Sequence, residues 1–88
     1  MPKIFEALAS ETRRKILAHL AHGELSASVI AARFDLSKPA VSRHLSVLEN
    51  AGLIACEKRR QFVYYWLIPN TISDTFDAFT QEICLRRI

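Results

Sequence analysis

The sequence predicts a mainly α-helical fold with one small β-hairpin, in the element order α-α-α-α-β-β-α. Apolar residues recur at helical spacing up to residue 52, alternate at strand spacing from residue 53 to residue 67, and return to helical spacing after Pro69. The chain has 88 residues, of which 50% are hydrophobic, and no linker or repeat divides it. We therefore expect one small domain over residues 1–88.

The first two helices are predicted from an apolar face and a serine cap. Ile4, Phe5 and Leu8 share one face of a short first helix. Ser10 follows as the expected N-cap of a second helix. That helix is expected to end near His22-Gly23, because glycine readily supplies a left-handed C-cap.

The next two helices have the outline of a helix-turn-helix motif. Ser26 is the expected N-cap of the third helix, and Asp35-Leu36 forms a tight turn after it. Ser37 is the expected N-cap of the fourth helix, with Pro39 in its first turn. An apolar stripe predicts that this fourth helix packs on the core through Val41, Leu45 and Leu48. Two helices joined by so short a turn are typical of the motif.

After Gly52 the pattern changes to two strands and a last helix. Residues 53–57 and 62–67 are rich in aromatic and β-branched side chains, which predicts the two strands of a hairpin. A final helix over residues 70–86 carries an apolar stripe made of Ile72, Phe76, Phe79 and Ile83. This stripe and the first helix hold more apolar surface than one small domain needs, which favours a second subunit.

Charge is spread unevenly along the chain. Residues 1–68 hold ten Lys/Arg against six Asp/Glu, a net charge of +4, whereas residues 69–88 hold two against three, a net charge of −1. A basic body indicates contact with a polyanion. No apolar run approaches the roughly 20 residues of a membrane span, and the first residues have no signal-peptide pattern. We therefore expect a cytoplasmic protein without membrane insertion.

The fourth helix has a polar face that fits the major groove of DNA. Lys38, Ser42 and Ser46 line up at four-residue steps opposite the apolar stripe. Short hydroxyls permit close approach to a base edge or phosphate, and cations supply charge and directional donors. His44 lies between the two faces, so it either bonds a phosphate or packs against the preceding helix. The candidate DNA contacts of this helix are Ser37, Lys38, Pro39, Ser42, Arg43, His44 and Ser46.

The hairpin tip adds a second basic group. Lys58, Arg59, Arg60 and Gln61 are predicted to form a protruding turn that neutralises phosphates or enters the minor groove. A solvated charged turn is the alternative. Catalysis is not indicated, because the sequence has no glycine-rich phosphate loop, paired acid–base motif or nucleophile elbow.

Several of these segments resemble the ArsR/SmtB family of bacterial regulators. Residues 7–17 are similar to the family's opening segment, and residues 36–45 match its recognition helix. The end of that helix and the wing are matched by Leu48, residues 51–53 and Tyr64-Tyr65. The resemblance implies a dimeric winged-helix repressor that binds DNA through the recognition helix and the wing. It also implies a dimer contact between the first and last helices, for which the apolar candidates are Ile4, Phe5, Leu8, Ile72, Phe76, Phe79 and Ile83.

The chain departs from the family at the sensing sites. Where metal-sensing members carry two cysteines and a carboxylate, this sequence has Ser26, Ser28 and Val29. Serine hydroxyls replace soft thiolate ligands poorly. The last helix also lacks the histidine of the family's other metal site. We therefore expect no metal site and no cofactor.

A second departure is in the wing, and two cysteines remain to be explained. Arg60 stands where the family usually turns on glycine, so the conformation of the tip is left open. Cys56 and Cys84 have no paired spacing, and we interpret them as buried or incidental thiols. His19 and His22 have only Glu24 as an acidic neighbour and do not indicate a metal site.

The leading hypothesis is a DNA-binding transcriptional repressor, and not an enzyme, that recognises an inverted repeat as a homodimer without a bound metal effector. One alternative is a sensor of the same fold that uses an unrecognised site, such as a cysteine. Another is a protein-interaction module, and a protein anti-repressor is a further partner to consider. Basic residues on the recognition face favour DNA, whereas an exposed apolar patch there would favour a protein.

Overall fold

Five helices and three short strands make up the fold of residues 3–85, which the computed structural model describes. The helices are α1 (Lys3–Leu8), α2 (Glu11–Leu20), α3 (Ala27–Phe34), α4 (Lys38–Asn50) and α5 (Thr71–Leu85). The strands are β1 (Leu25–Ser26), β2 (Ile54–Arg59) and β3 (Phe62–Leu67). The predicted mainly helical fold with a hairpin is confirmed, and residue 86 of the predicted last helix lies outside the described residues.

Serine hydroxyls begin α2, α3 and α4, as the sequence predicts. Each Oγ accepts a hydrogen bond from the backbone N–H three residues later: Ser10 from Arg13 at 3.2 Å, Ser26 from Val29 at 3.3 Å, and Ser37 from Ala40 at 3.3 Å. These bonds satisfy backbone donors that have no partner inside the helix. The caps therefore fix where each of the three helices starts.

The helix-turn-helix is formed by α3 and α4 over a common core. Asp35 ends α3 in a left-handed conformation, with φ of 51° and ψ of 47°, which aspartate tolerates better than most residues. The largest fully buried side chains of the core are Ile16, Ile30, Leu45, Leu48, Leu53 and Ile54. Because Leu45 and Leu48 belong to α4, the core decides which face of this helix points outward.

The end of α2 differs from the prediction. The helix ends at Leu20, and its C-cap Ala21 keeps a right-handed conformation with φ of −63°. Backbone N–H groups of His22 and Gly23 bond back to the carbonyls of His19 and Leu20. Tight turns of this kind satisfy the last carbonyls of a helix without a left-handed cap. Gly23, with φ of +150°, therefore lies beyond the helix and is not its cap.

The sheet corrects the prediction in two respects. β1 pairs antiparallel with β3, which gives the strand order β1-β3-β2; a two-residue strand is too short to leave an alternating pattern. The predicted four-residue tip is also wrong, because β2 continues through Lys58 and Arg59 and only Arg60 and Gln61 form the turn. Two-residue loops are the commonest hairpin connection because the favoured turns match the twist of the strands.

Candidate nucleic-acid interface

Helix α4 is held against the core on one side and open to solvent on the other. Val41, Leu45 and Leu48 are buried, which confirms the predicted apolar stripe. Pro39 stands in the first turn, where its missing N–H costs no hydrogen bond. The helix is therefore a fixed support for the side chains on its outward face.

The outward face of α4 is polar and basic, and most of it is unpaired. Lys38, Ser42, Arg43 and Ser46 are exposed, and none of them forms a side-chain hydrogen bond or ion pair within residues 3–85. The hydroxyl of Ser37 is engaged in the N-cap. Unpaired cations and hydroxyls on a rigid helix can exchange bound water for phosphates and base edges.

His44, the candidate whose role the sequence left open, lies beside α2. The residue is half-buried, and its Nδ1 lies 3.4 Å from Nη1 of Arg13. Burial is the main reason why the pKa of His44 is lowered from 6.5, and the positive charges of Arg13 and Arg43 lower it further. A neutral ring leaves Nδ1 able to accept a hydrogen bond from the guanidinium.

Arg13 is a structural residue that sequence reasoning missed. Its Nε donates to the carbonyl of Ala7 at 2.8 Å, and its Nη2 donates to the carbonyl of Glu6 at 3.0 Å. These carbonyls lie at the end of α1, beyond which no helix continues to supply N–H donors; that of Glu6 also accepts from the N–H of Ala9 at 3.2 Å. One guanidinium thus connects α1, α2 and, through His44, α4. A short helix followed within a few residues by arginine was the available signal.

β2 and β3 form a wing with a two-residue turn. Arg60 has φ of +59° at the first turn position, and Gln61 has no positive φ. This pattern suits a type II′ turn, in which glycine usually occupies the first position. Lys58, Arg60 and Gln61 are exposed, and none has a side-chain partner in the part of the chain that the structure describes. The wing therefore presents two free cations.

Arg59 differs from the other two cations of the wing. Its two Nη atoms face the two carboxylate oxygens of Glu24, with 3.2 Å between Nη2 and Oε2, and its Nε donates to Oε2 of Glu57 at 3.2 Å. The hydrogen bond to Glu24 is the largest cause of the raised pKa of Arg59. The charge of this predicted DNA contact is therefore paired within the chain, and no pattern in the sequence pointed to Glu24.

The recognition helix and the wing border a common groove. This groove has a volume of about 310 Å³, and Lys38 and Ser42 of α4 line it together with Gln61 of the wing turn. The fold thus brings candidates from both elements, more than 15 residues apart in sequence, to one side of the molecule. A single duplex could reach both elements from that side.

Three of the apolar candidates for a dimer contact lie within or against the core of one chain. Ile4 is only 6% exposed, so it offers little surface to a second subunit. Leu8 and Ile72 are half-buried and pack against the same core. The contribution of these three residues to a dimer would be small, because most of their surface is already removed from water.

The other four candidates form a partly exposed surface, which we call the α5 apolar face and define as Phe5, Phe76, Phe79 and Ile83; Phe5 is half-buried and also packs against the core. Phe76, Phe79 and Ile83 are 40%, 43% and 48% exposed. The ring of Phe5 in α1 meets those of Phe76 and Phe79 edge-on, with centroids 5.7 Å and 5.4 Å apart. Terminal segments of the chain thus contribute to one apolar surface.

The two cysteines lie in different environments. Cys56 is half-buried in β2, and its Sγ donates to Oε2 of Glu49 at 3.4 Å. Burial raises the pKa of Cys56, and the bond to Glu49 adds to this effect; a thiol with a raised pKa is less reactive. Cys84 is exposed near the end of α5.

Residues 3–85 contain neither a cluster of metal ligands nor a membrane-spanning helix. No three His, Cys, Asp or Glu residues of this range are grouped so that they could hold a metal ion. The helices of the same range are too short or too polar to span a bilayer.

Comparison with known proteins connects this geometry to a family. The model of a helix-turn-helix domain family matches residues 8–57. The transcriptional repressor SdpR of Bacillus subtilis is 39% identical over 77 residues, which are 88% of this chain and 86% of that protein. The transcriptional activator HlyU of Vibrio cholerae is 32% identical over 81 residues, which are 92% of this chain and 75% of that protein. The crystal structure of an ArsR family transcriptional regulator matches with a TM-score of 0.86 at 27% identity, and the match covers 98% of this chain and 94% of that chain.

A capped helix-turn-helix whose second helix exposes a basic face, followed by a wing, defines a DNA-binding protein of the winged-helix class. Within that class, the chain belongs to the ArsR/SmtB family of transcriptional regulators. Members of this family are regulators of transcription and not enzymes.

Proposed function

We propose that this protein is a sequence-specific transcriptional repressor that binds an inverted repeat as a homodimer and has no bound metal effector. The observation that carries the proposal is the exposed, unpaired and basic face of α4. No large apolar side chain is exposed on α4, so this face suits a nucleic acid better than a protein partner. The likeness to SdpR, a repressor, favours repression over the activation for which HlyU is named.

The candidate contacts divide into base readers and phosphate contacts. Arg43 and Ser42, in the middle of the outward face, would read base edges in the major groove. Lys38 and Ser46 would contact the flanking backbone, and Ser37 and Pro39 would fix the start of α4 beside a phosphate. In the wing, Gln61 would lie at the minor groove beside the cations.

The α5 apolar face supports the homodimer. α5 has 15 residues, and every side chain described after Thr75 is exposed. Because helices of this length are only marginally stable in water when nothing packs against them, this exposure favours a partner for α5. A second copy would bury Phe76, Phe79 and Ile83, and full burial of such a side chain contributes about 1.5–3 kcal/mol before the costs of association. A twofold dimer carries two recognition helices, which is why we propose an inverted repeat.

The experiment that tests this proposal is selection of bound fragments from random duplexes. We expect an enriched inverted repeat whose half-sites are centred about one helical turn, or a multiple of it, apart. A reporter promoter that carries the selected site should lose activity when the protein is produced. The S42A/R43A variant serves as the control and should enrich no motif. Recovery of random sequence by the wild-type protein would contradict sequence-specific binding, and a single half-site would contradict the dimer.

The absence of a metal effector is tested by titration. Ser26, at the position of a family thiolate, is buried and its hydroxyl caps α3, so a hard oxygen that is already engaged stands where a soft metal ion would need a thiolate. We expect stoichiometric zinc, cadmium or arsenite to leave the preformed protein–DNA complex intact. Release of DNA would contradict the proposal, and Cys56→Ser and Cys84→Ser would then show which thiol is responsible.

A further inference from the structure

We propose that Arg59 is a positioning residue that holds the wing in place through Glu24, and that Lys58 and Arg60 supply the phosphate contacts of the wing. The inference rests on the proposed DNA-binding function. It gives different tasks to three cations that are adjacent in sequence and that the sequence alone treats as one basic turn.

The contacts of Arg59 reach across the whole width of the sheet. The residue lies at the end of β2, whereas Glu24 directly precedes β1, and these are the two outer strands on either side of β3. Between them, the guanidinium carbon of Arg59 lies 5.1 Å from the ring centre of Tyr64 in β3. Bidentate pairing and stacking on an aromatic ring both depend on the planar fork of arginine. Arg59 is thus placed to fasten all three strands together.

Strand alternation separates Arg59 from Lys58. Paired residues of an antiparallel ladder share a face, and successive residues alternate between faces. Lys58 pairs with Val63, which lines the groove beside α4. Arg59 stacks on Tyr64, and both line a second depression together with Glu24, so Arg59 belongs to the opposite face of the hairpin. Its ladder partner Phe62, next to the turn, borders both the groove and this depression. Lys58 is therefore on the side of the recognition helix, and Arg60 is at the tip.

The charges around the three cations favour the same assignment. Arg59 is shared between two carboxylates, those of Glu24 and Glu57. Moving its guanidinium onto a phosphate would leave both carboxylates unpaired close to the duplex, where they would repel it. Lys58 and Arg60 have no such partners among the described residues. Their contact with a phosphate would displace only water and the counterions of DNA.

The test measures affinity over a series of salt concentrations, with a short duplex recovered by selection from random sequences. The proteins are the wild type, Arg59→Lys, Glu24→Gln, the double variant and Arg60→Gln. Arg59→Lys keeps the positive charge but removes the planar guanidinium that binds two carboxylate oxygens at once. We therefore expect about fivefold weaker binding to DNA, with an unchanged slope of log affinity against log salt concentration. In the Glu24→Gln background the same substitution should have a clearly smaller effect, because the pair with Glu24 is already broken and only the contacts with Glu57 and Tyr64 remain to be lost.

Arg60→Gln is the matched control for a direct phosphate contact. It should flatten the plot of log affinity against log salt concentration by about 0.9 for each phosphate that is no longer neutralised, or about 1.8 for two copies in a dimer. Circular dichroism of each variant verifies that it has the helix content of the wild type.

Two results would overturn the inference. One is a wild-type affinity for Arg59→Lys, and the other is an equal loss of affinity from Arg59→Lys with and without Glu24, because Arg59 would then act independently of that carboxylate. Failure of the proposed function has a different signature, in which the wild-type protein binds the selected duplex no better than a scrambled one. In that case both the proposed function and this inference would be wrong.

Discussion

The helix-turn-helix and helix α5 differ in how far a single chain buries their apolar side chains. α3 and α4 bury their apolar residues, begin at serine caps and expose polar side chains on α4. α5 is anchored to the core at its start, where Thr71 Oγ1 donates to the carbonyl of Gly52 at 2.7 Å and Ile72 packs on the core. Further along, Phe76 and Phe79 contact, among the aromatic side chains of residues 3–85, only the edge of the Phe5 ring, and both remain 40% or more exposed.

This difference indicates that the two regions depend on different partners. The exposed groups of α4 are hydrated in the free protein and can remain so, because charged and hydroxyl groups are soluble. The exposed phenylalanines of α5, in contrast, contribute less to the stability of the protein while they face water than they would if they were buried. The surface that we propose contacts DNA is thus formed by one chain, whereas we propose that its affinity for an inverted repeat depends on a second chain.

The largest effect is expected from placing a charge on the α5 apolar face. Phe76→Asp should convert the dimer to monomers, because a carboxylate cannot be buried among apolar groups without a partner. Loss of the linked second half-site should weaken binding to the inverted repeat by about 100-fold or more. Light scattering gives the mass in solution, and binding to a full site and to one half-site gives the two affinities.

Gln81→Asp is the matched control for that substitution. Gln81 is exposed, and by helical spacing it lies on the side of α5 opposite to Phe76. The same charge at this position should leave the mass and the affinity for the inverted repeat unchanged. A dimeric Phe76→Asp variant, or equal effects of the two substitutions, would show that α5 does not form the contact.

The second effect, on α4, should leave the dimer intact and change recognition. Arg43→Ala should cost about 1–3 kcal/mol at the selected site if the guanidinium reaches a guanine edge, and much less on a scrambled duplex. Lys15→Ala removes the same charge from α2, where Lys15 is paired with Glu11 at 3.2 Å, and serves as the control. Equal losses of affinity from both variants on both duplexes would mean that Arg43 contributes only charge.

Local signals account for the parts of the fold that the sequence predicted well. Serine caps and apolar spacing act over three to four residues, so the starts of α2, α3 and α4 are visible in the sequence. The aromatic and β-branched composition of residues 62–67 likewise predicted β3. β1 was missed because two residues carry no period, and the wing turn was drawn too long because basic residues resemble a solvated loop.

Contacts between distant residues account for what the sequence could not predict in the candidate site. Glu24 and Arg59 are separated by 35 positions, and Arg13 and His44 by 31. Only the packing of the elements brings them together, so composition and spacing carry no trace of either pair. The outward face of α4 could be predicted because its periodicity is local, whereas the different environments of Lys58 and Arg59 depend on the sheet.

The wing offers a smaller effect, in which stability and binding should change in opposite directions. Arg60 holds a left-handed φ of +59°, a conformation that costs a non-glycine residue about 1–2 kcal/mol. Arg60→Gly should therefore raise the free energy of unfolding by about 1 kcal/mol while it flattens the salt slope of DNA binding. Arg60→Ala removes the same cation but keeps the unfavourable conformation. Denaturant unfolding should show a gain for glycine alone, and equal stability of the two variants would contradict the assignment of strain.

The smallest effect concerns His44, where α4 is connected to α1 through Arg13. Because the pKa of His44 is lowered from 6.5 in the folded protein, the unfolded chain binds its proton first as the pH falls. The contribution of His44 to stability is therefore fully present above pH 6.5 and is lost as the pH falls from there through the lowered pKa. Urea unfolding at a series of pH values should show this decline for the wild type and a flatter profile for His44→Gln, whose amide oxygen can still accept from Arg13. His22→Gln is the matched control, since His22 is exposed, and a profile for His44→Gln that matched the wild type would show that the Arg13–His44 contact does not respond to pH.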